Sequence, residues 1–132
     1  MKYKYILFTG AILGAIAVIF GAFGAHALAD QISVKQLSSY KTGNTYHFFH
    51  VFLLMLIGIL YHLKPTKLLK IAFWMCLAGI ILFSGSLYLI ACRDLLGINS
   101  TSILGPMTPI GGVFFIGAWI TLGINFISKK DE

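Results

Sequence analysis

Carboxylates are scarce in this chain. Asp30, Asp94, Asp131 and Glu132 are the full complement, and all four fall at or beyond the ends of the long apolar runs. A proton-coupled carrier normally needs an acid deeper in the membrane, so that mechanism starts without its usual residue. Charge of either sign is thin, at 11% of residues, against 58% hydrophobic. A soluble domain of 132 residues cannot hide that much apolar surface behind so few charges, which excludes a soluble globular fold. Cysteine is limited to Cys76 and Cys92. Both fall in one expected helix, ~24 Å apart along its axis. That is too far for a disulfide, so both read as small packing residues. Net charge is +6, yet no basic patch interleaved with aromatics appears, so no nucleic-acid partner is expected. No cofactor motif is present either.

What the chain does have is apolar runs near the ~20 residues that cross a bilayer. Four spans are expected, at about 5–28, 44–63, 68–91 and 109–127. The fold class is an all-α membrane protein, a compact four-helix bundle forming one domain over residues 1–132. Its first partner is the lipid bilayer.

The first span closes on Phe20-Gly21-Ala22-Phe23-Gly24-Ala25-His26. A small-x-small pattern at Ala25-His26-Ala27 resembles a signal cleavage site, but the apolar stretch is longer than a signal core, and retention is expected. Gly10, Gly14, Ala17, Gly21 and Gly24 step by four and three and so share one helix face. Small residues on one face let helix backbones approach closely in lipid. Whether the partner helix is internal or belongs to a second copy, making a homo-oligomer, is open at this stage.

Residues 29–43 are polar. Ser33 and Gln36 have capping-box spacing, and a short amphipathic helix lying on the membrane surface and stopping at Gly43 is expected. Lys64-Pro65-Thr66-Lys67 is a basic turn. Residues 95–107 look too broken by glycine, serine and proline for a helix and are expected to lie flat over the bundle end. Thr108-Pro109 reads as an N-cap and first helical residue.

With four spans, Lys2, Lys4, Lys64, Lys67, Lys70, Lys129 and Lys130 share one side, and Lys35, Lys41 and Arg93 the other, seven against three. The positive-inside rule puts the seven, and both termini, in the cytoplasm. Localisation is then a multi-pass protein of the bacterial inner membrane. Helical rise next puts His26, Tyr46, His47, His50, Ser84, Ser86, Tyr88 and Thr108 within roughly 10 Å of the outer span ends. Gly85, Gly111 and Gly112 would allow close approach there.

Four stretches carry a resemblance. They are Gly21-Ala22-Phe23-Gly24-Ala25-His26, Thr42-Gly43-x-x-Tyr46-x-x-Phe49-His50, Phe83-Ser84-Gly85-Ser86-Leu87-Tyr88 and Thr108-Pro109-Ile110-Gly111-Gly112. In this order the chain resembles the bacterial four-span family with domain of unknown function four-two-three, related to the animal transmembrane protein two-five-six family. Ala118-Trp119 stands where the family usually has Gly-Trp, and His47 where glutamine is common. The resemblance implies fold and membrane location; it implies no reaction.

The expected site is an outer layer in which His26, Tyr46, His50, Ser84, Ser86, Tyr88 and Thr108 converge. Its first reading is structural pairing between helices or the binding of a lipid or small ligand. A metal held by His26, His47 and His50 is the weaker reading, because no carboxylate or thiolate joins them. Ser84 or Ser86 with His50 and Asp94 could be drawn as a nucleophile set, but serines flanking glycine in a membrane helix more often pack, so no enzyme is expected. The function expected is a structural, interaction or ligand-binding membrane component. The alternative is an oligomeric transporter or channel for a small solute or metal ion.

Overall fold

A computed structural model describes residues 1–128 of the chain. Lys129, Lys130, Asp131 and Glu132, used above in the charge comparison, lie outside the described residues. Four helices are long and apolar enough to cross a membrane: α1 (Tyr3–His26), α2 (Val34–Leu63), α3 (Lys67–Ala91) and α5 (Leu104–Ile127). A four-residue helix, α4 (Arg93–Leu96), lies between α3 and α5. No strand occurs among the described residues. Large apolar side chains such as Phe8, Ile19, Phe49, Phe52, Ile81, Val113, Ile116 and Ile120 are exposed around the outside. That inverts the soluble pattern, as expected where the surrounding medium is hydrocarbon.

α2 and α3 pack together in the middle; α1 lies chiefly along α2, and α5 chiefly along α3. The small-residue face of α1 meets α2 over its whole length. Gly10 sits against Leu54 and Met55, Gly14 against Val51, Gly21 against Asn44, and Gly24 against the Tyr40 ring. The larger core joins Ile6, Leu54 and Ile57 to Leu69, Phe73, Phe115 and Leu122. A smaller one gathers Leu28, Tyr40, Tyr88 and Ala91 at the opposite end.

Three local expectations are corrected. The expected surface helix does not stop at Gly43, because α2 runs unbroken for 30 residues. Its start is the expected capping box: Ser33 Oγ accepts from Gln36 N–H, and Gln36 Oε1 accepts from Ser33 N–H. Gly43 is buried, and a Cβ there would lie 3.0 Å from Leu87 Cβ and 3.3 Å from the Ser84 carbonyl. It is a point of close approach between α2 and α3, not a stop. Thr108 is not an N-cap, since α5 begins a turn earlier at Leu104. Pro106 is the third helical residue, where no intrahelical N–H partner is missed, and Pro109 costs one bond at the exposed Gly105 carbonyl. The segment before it is also not wholly irregular. α4 forms there, and Gly97 ends it at φ +68°, a left-handed conformation that glycine adopts without strain.

α3 carries a feature with no counterpart in the sequence reading. Residues Ile80–Ser84 form a π-helical turn, and Gly85 N–H donates to the Ile80 carbonyl. Gly111 of α5 faces this turn so closely that a Cβ would press on the backbone of Leu82 and Phe83. Gly85, expected to be a packing glycine, has only the Ile80 carbonyl near, at 3.9 Å, and Gly112 meets the Phe83 ring at ordinary contact distance. The close approach belongs to Gly111 alone of the three.

Candidate functional site

The polar side chains do not form one layer. They form separate networks on neighbouring faces of α2. The first uses Tyr40, Asn44 and His47, spaced i, i+4 and i+7 and therefore on one face of α2. Tyr40 O–H donates to the Phe20 carbonyl at 2.7 Å. Asn44 Nδ2 donates to the Ala17 carbonyl at 2.9 Å and to the Tyr88 hydroxyl oxygen at 3.1 Å. The Tyr88 hydroxyl is 3.0 Å from His47 Nδ1. Asn44 donates to the same oxygen, so the Tyr88 proton is free to serve His47 Nδ1, the arrangement that goes with the Nε2–H tautomer of His47. His47 Nε2 is buried without a hydrogen-bond partner.

The glycines of α1 explain why this network forms. The Ala17 and Phe20 carbonyls already accept helical bonds from residues four further on, which are Gly21 and Gly24. A carbonyl has a second lone pair, and glycine at i+4 leaves it uncovered. A Cβ at Gly21 would stand 3.0 Å from Asn44 Oδ1, and one at Gly24 would run into the Tyr40 ring. The Gly-x-x-Gly of α1 therefore opens two mid-helix carbonyls to two side chains of α2.

The second network lies between α2, α3 and α5. His50 Nδ1–H donates to the Tyr46 carbonyl at 2.7 Å, and His50 Nε2 accepts from Trp119 Nε1–H at 3.3 Å. The imidazole stacks on Phe115, with centroids 3.4 Å apart and planes at 12°. Both ring nitrogens are thus engaged and the ring is neutral. Cys76 Sγ–H points to the His50 carbonyl at 3.3 Å. Nearby, Ser86 Oγ lies 2.6 Å from Thr108 Oγ1 and donates to the Phe83 carbonyl at 3.0 Å.

The expected site residues are thus divided. Tyr46 and His50 belong to the second network, Ser86 and Thr108 to a pair beside it, and Tyr88 to the first. Ser84 is fully buried, and its hydroxyl has no partner. His26 joins none of these groups. It is exposed at the end of α1, about 200° around the helix from the inward-facing Gly24. The convergence of His26 with His50 is therefore corrected, and so is the ranking of His26 above His47. A metal on His26, His47 and His50 falls with it: among the described residues, no three His, Cys, Asp or Glu side chains lie close enough to share an ion. Sequence reading passed over Tyr40, Asn44 and Trp119. A polar residue three before His47, at Asn44, was the available signal. Asn125, fully buried and accepting from Thr66 O–H at 2.6 Å, was also missed.

Above the first network lies a cavity of about 440 Å³, bounded by Phe20, Phe23, Leu28, Tyr40, Tyr88 and Leu96 among others. Both tyrosine hydroxyls are turned away from it into the network, so its wall is almost wholly carbon. α4 closes one side. Gln36 Nε2 donates to Asp94 Oδ2 at 2.7 Å, so the glutamine that caps α2 also ties down α4.

Comparison with known proteins places these features in a family. Residues 20–112 match the family described as Protein of unknown function (DUF423). The UPF0382 membrane protein YwdK of Bacillus subtilis is 42% identical over 120 residues, covering 90% of this chain and 93% of the relative. The chain belongs to the DUF423 family. Among its other relatives, the UPF0382 membrane protein SAB0533 of Staphylococcus aureus is 40% identical over 90% of this chain and 92% of its own length. A UPF0382 membrane protein of Haemophilus influenzae is 35% identical over 99% of both chains. No solved structure matches. The DUF423 match contains two of the four α1 glycines that face α2, Gly21 and Gly24, with the α2 residues of both networks and Gly111 opposite the π turn. The sequence resemblance and the membrane assignment are thus established together with the helical fold, while the family's name carries no activity.

Proposed function

We propose that this protein is a non-catalytic, multi-pass component of the bacterial inner membrane that holds one hydrocarbon chain of a membrane lipid in the cavity beside α4. The observation that carries this reading is the direction of the Tyr40 and Tyr88 hydroxyls. Each supplies an aromatic wall, while its oxygen is committed to Phe20 or to Asn44 and His47. A quinone head or a sugar would find no free hydroxyl, amide or charged side chain on such a wall. An acyl chain asks for none, and it is held by dispersion contacts with the rings and leucines of the wall. The bilayer supplies that ligand at the right depth, since Ile19, Phe20 and Phe23 on the same side of α1 are exposed to it.

Helices, not a closed barrel, form the spans, which fits the inner membrane. In a single four-span unit, Lys2, Lys4, Lys64, Lys67 and Lys70 lie at one end and Lys35, Lys41 and Arg93 at the other. That bias supports cytoplasmic termini and a cavity opening in the outer leaflet.

The test uses a phospholipid with a photoreactive group along its acyl chain, added to the purified protein in detergent. Crosslinks should map to Leu28, Cys92 or Leu96. Leu28→Trp, which fills the cavity, should abolish them while Val113→Trp on the lipid-facing side of α5 leaves them. Equal labelling of both variants overturns the reading. Uptake of a small solute or metal ion into proteoliposomes, lost on Leu28→Trp, would favour the transporter alternative instead.

A further inference from the structure

At the other end of the bundle a second cavity, again about 440 Å³, is bounded by Met1, Lys2, Tyr3, Lys4, Tyr5, Tyr61, His62 and Pro65. It differs from the first in carrying charge and free polar groups. Two lysines and a histidine contribute to its wall, with three tyrosines between them. The wall comes from two distant parts of the chain, the start of α1 and the end of α2 with its turn. The Tyr3 and His62 rings hold those parts together, with centroids 4.1 Å apart and planes at 38°.

We infer that this cleft binds the phosphate of an anionic phospholipid, with Lys2, Lys4 and His62 as its charged and hydrogen-bonding partners. Position, charge and the character of the wall lead there. The cleft lies where two membrane-spanning helices leave the hydrocarbon, so a lipid phosphate is at the same level. Lysine stems can lie along apolar surface there while their ammonium groups reach the headgroup plane. Asp30 and Asp94, the carboxylates of the described residues, are both at the opposite end of the bundle, while Asp131 and Glu132 lie outside the described residues beside Lys129 and Lys130 in sequence. The first turn of α1 holds no acidic residue either, so the partial positive charge of the helix start adds to that of the lysines. Basic pockets between helices at this level are suited to anionic headgroups, whereas a zwitterionic headgroup would bring its own cation against Lys2 and Lys4. Tyr3, Tyr5 and Tyr61 complete the cleft with rings suited to the membrane interface.

Native mass spectrometry of the protein, released from micelles containing equal amounts of phosphatidylglycerol and phosphatidylcholine, tests the inference. One phosphatidylglycerol should stay bound to the chain. The double variant Lys2→Gln/Lys4→Gln should weaken its retention by at least about tenfold. Lys67→Gln/Lys70→Gln removes the same charge from the same end but outside the cleft, and should leave retention unchanged. Equal losses in the two double variants would reduce the effect to a diffuse field and overturn the cleft. Equal retention of phosphatidylcholine would overturn anion selectivity, and displacement by millimolar inorganic phosphate would make this a soluble-phosphate site, overturning the lipid. All four lysines are exposed, so helicity by circular dichroism should stay at the wild-type value in every variant. Labelling at the α4 cavity is independent of every one of these outcomes.

Discussion

Gly111→Ala is the smallest change that should disturb the fold at its tightest crossing. The added carbon would lie 2.8 Å from the Leu82 carbonyl carbon and from Phe83 Cα, and nearer still to the Phe83 nitrogen. All three are backbone atoms of the π turn, so no side chain can swing aside. Ordinary contact begins at 3.4 Å, so the two carbons alone ask α5 to withdraw by 0.6 Å, the difference between 3.4 and 2.8, and the nearer Phe83 nitrogen asks for more. The withdrawal loosens the Ser86–Thr108 hydrogen bond and the stack of Phe115 on His50, which lie within a turn or so on either side. Overpacking of this kind costs about 1–3 kcal/mol. Replacing a helical glycine by alanine returns up to about 1 kcal/mol. A net loss of about 1–2 kcal/mol corresponds to roughly 3–10 °C in melting temperature for a chain of this size. Thermal unfolding in detergent, followed by near-ultraviolet circular dichroism, reads it directly. Gly123→Ala is the control, because nothing stands within 4 Å of a Cβ there, and it should melt at or above wild type. If Gly111→Ala melts no lower than Gly123→Ala, α5 does not cross α3 at the π turn and the account of that crossing is wrong.

The remaining predictions concern the networks and the orientation. Tyr88→Phe removes the hydroxyl that accepts from Asn44 and is hydrogen-bonded to His47, and should lower stability by about 1–3 kcal/mol by leaving buried polar atoms unpaired; His26→Ala, on an exposed residue, should change it by less than about 0.5 kcal/mol. Saturating zinc or copper should leave the melting temperature of the wild-type protein unchanged, since a native-state metal site would raise it by linkage; a rise that His47→Ala abolishes would restore a metal site. In a Cys92→Ser background, an impermeant thiol reagent added to intact cells should label Asp30→Cys and fail to label Lys64→Cys; the reverse pattern would place the termini outside. Removing Cys92 keeps the background clean, although burial already pushes its thiol pKa up and slows its reaction.

Reading the chain as a sequence reaches the class of structure and several of its joints, because those depend on local composition. Long apolar runs require helices, since an isolated strand in lipid would leave its backbone groups unpaired. The capping box at Ser33 and Gln36 and the Pro65 turn are short-range chemistry, and the structure has both. The spacing of Gly10, Gly14, Ala17, Gly21 and Gly24 marks one face of α1 in any straight helix. What that face meets is not a property of α1. Only packing decides that it meets α2, and that Gly21 and Gly24 uncover the Ala17 and Phe20 carbonyls for Asn44 and Tyr40.

The site was less legible for the same reason. Depth along the membrane follows from counting residues at ~1.5 Å each, so Tyr46, His50, Ser86 and Thr108 could be assigned to one level. Direction around each helix does not follow from depth. His26 has suitable depth but points outward, two residues and half a turn from Gly24, while His47 points inward to Tyr88. The π turn, which packs against Gly111 of α5, shifts the register of α3 beyond Ile80 because it takes an extra residue. Periodicity of 3.6 residues cannot reveal a turn that departs from that period. Composition and charge thus determined a four-helix membrane protein, whereas helix rotation, set by which backbone each glycine lets approach, decided which polar groups meet.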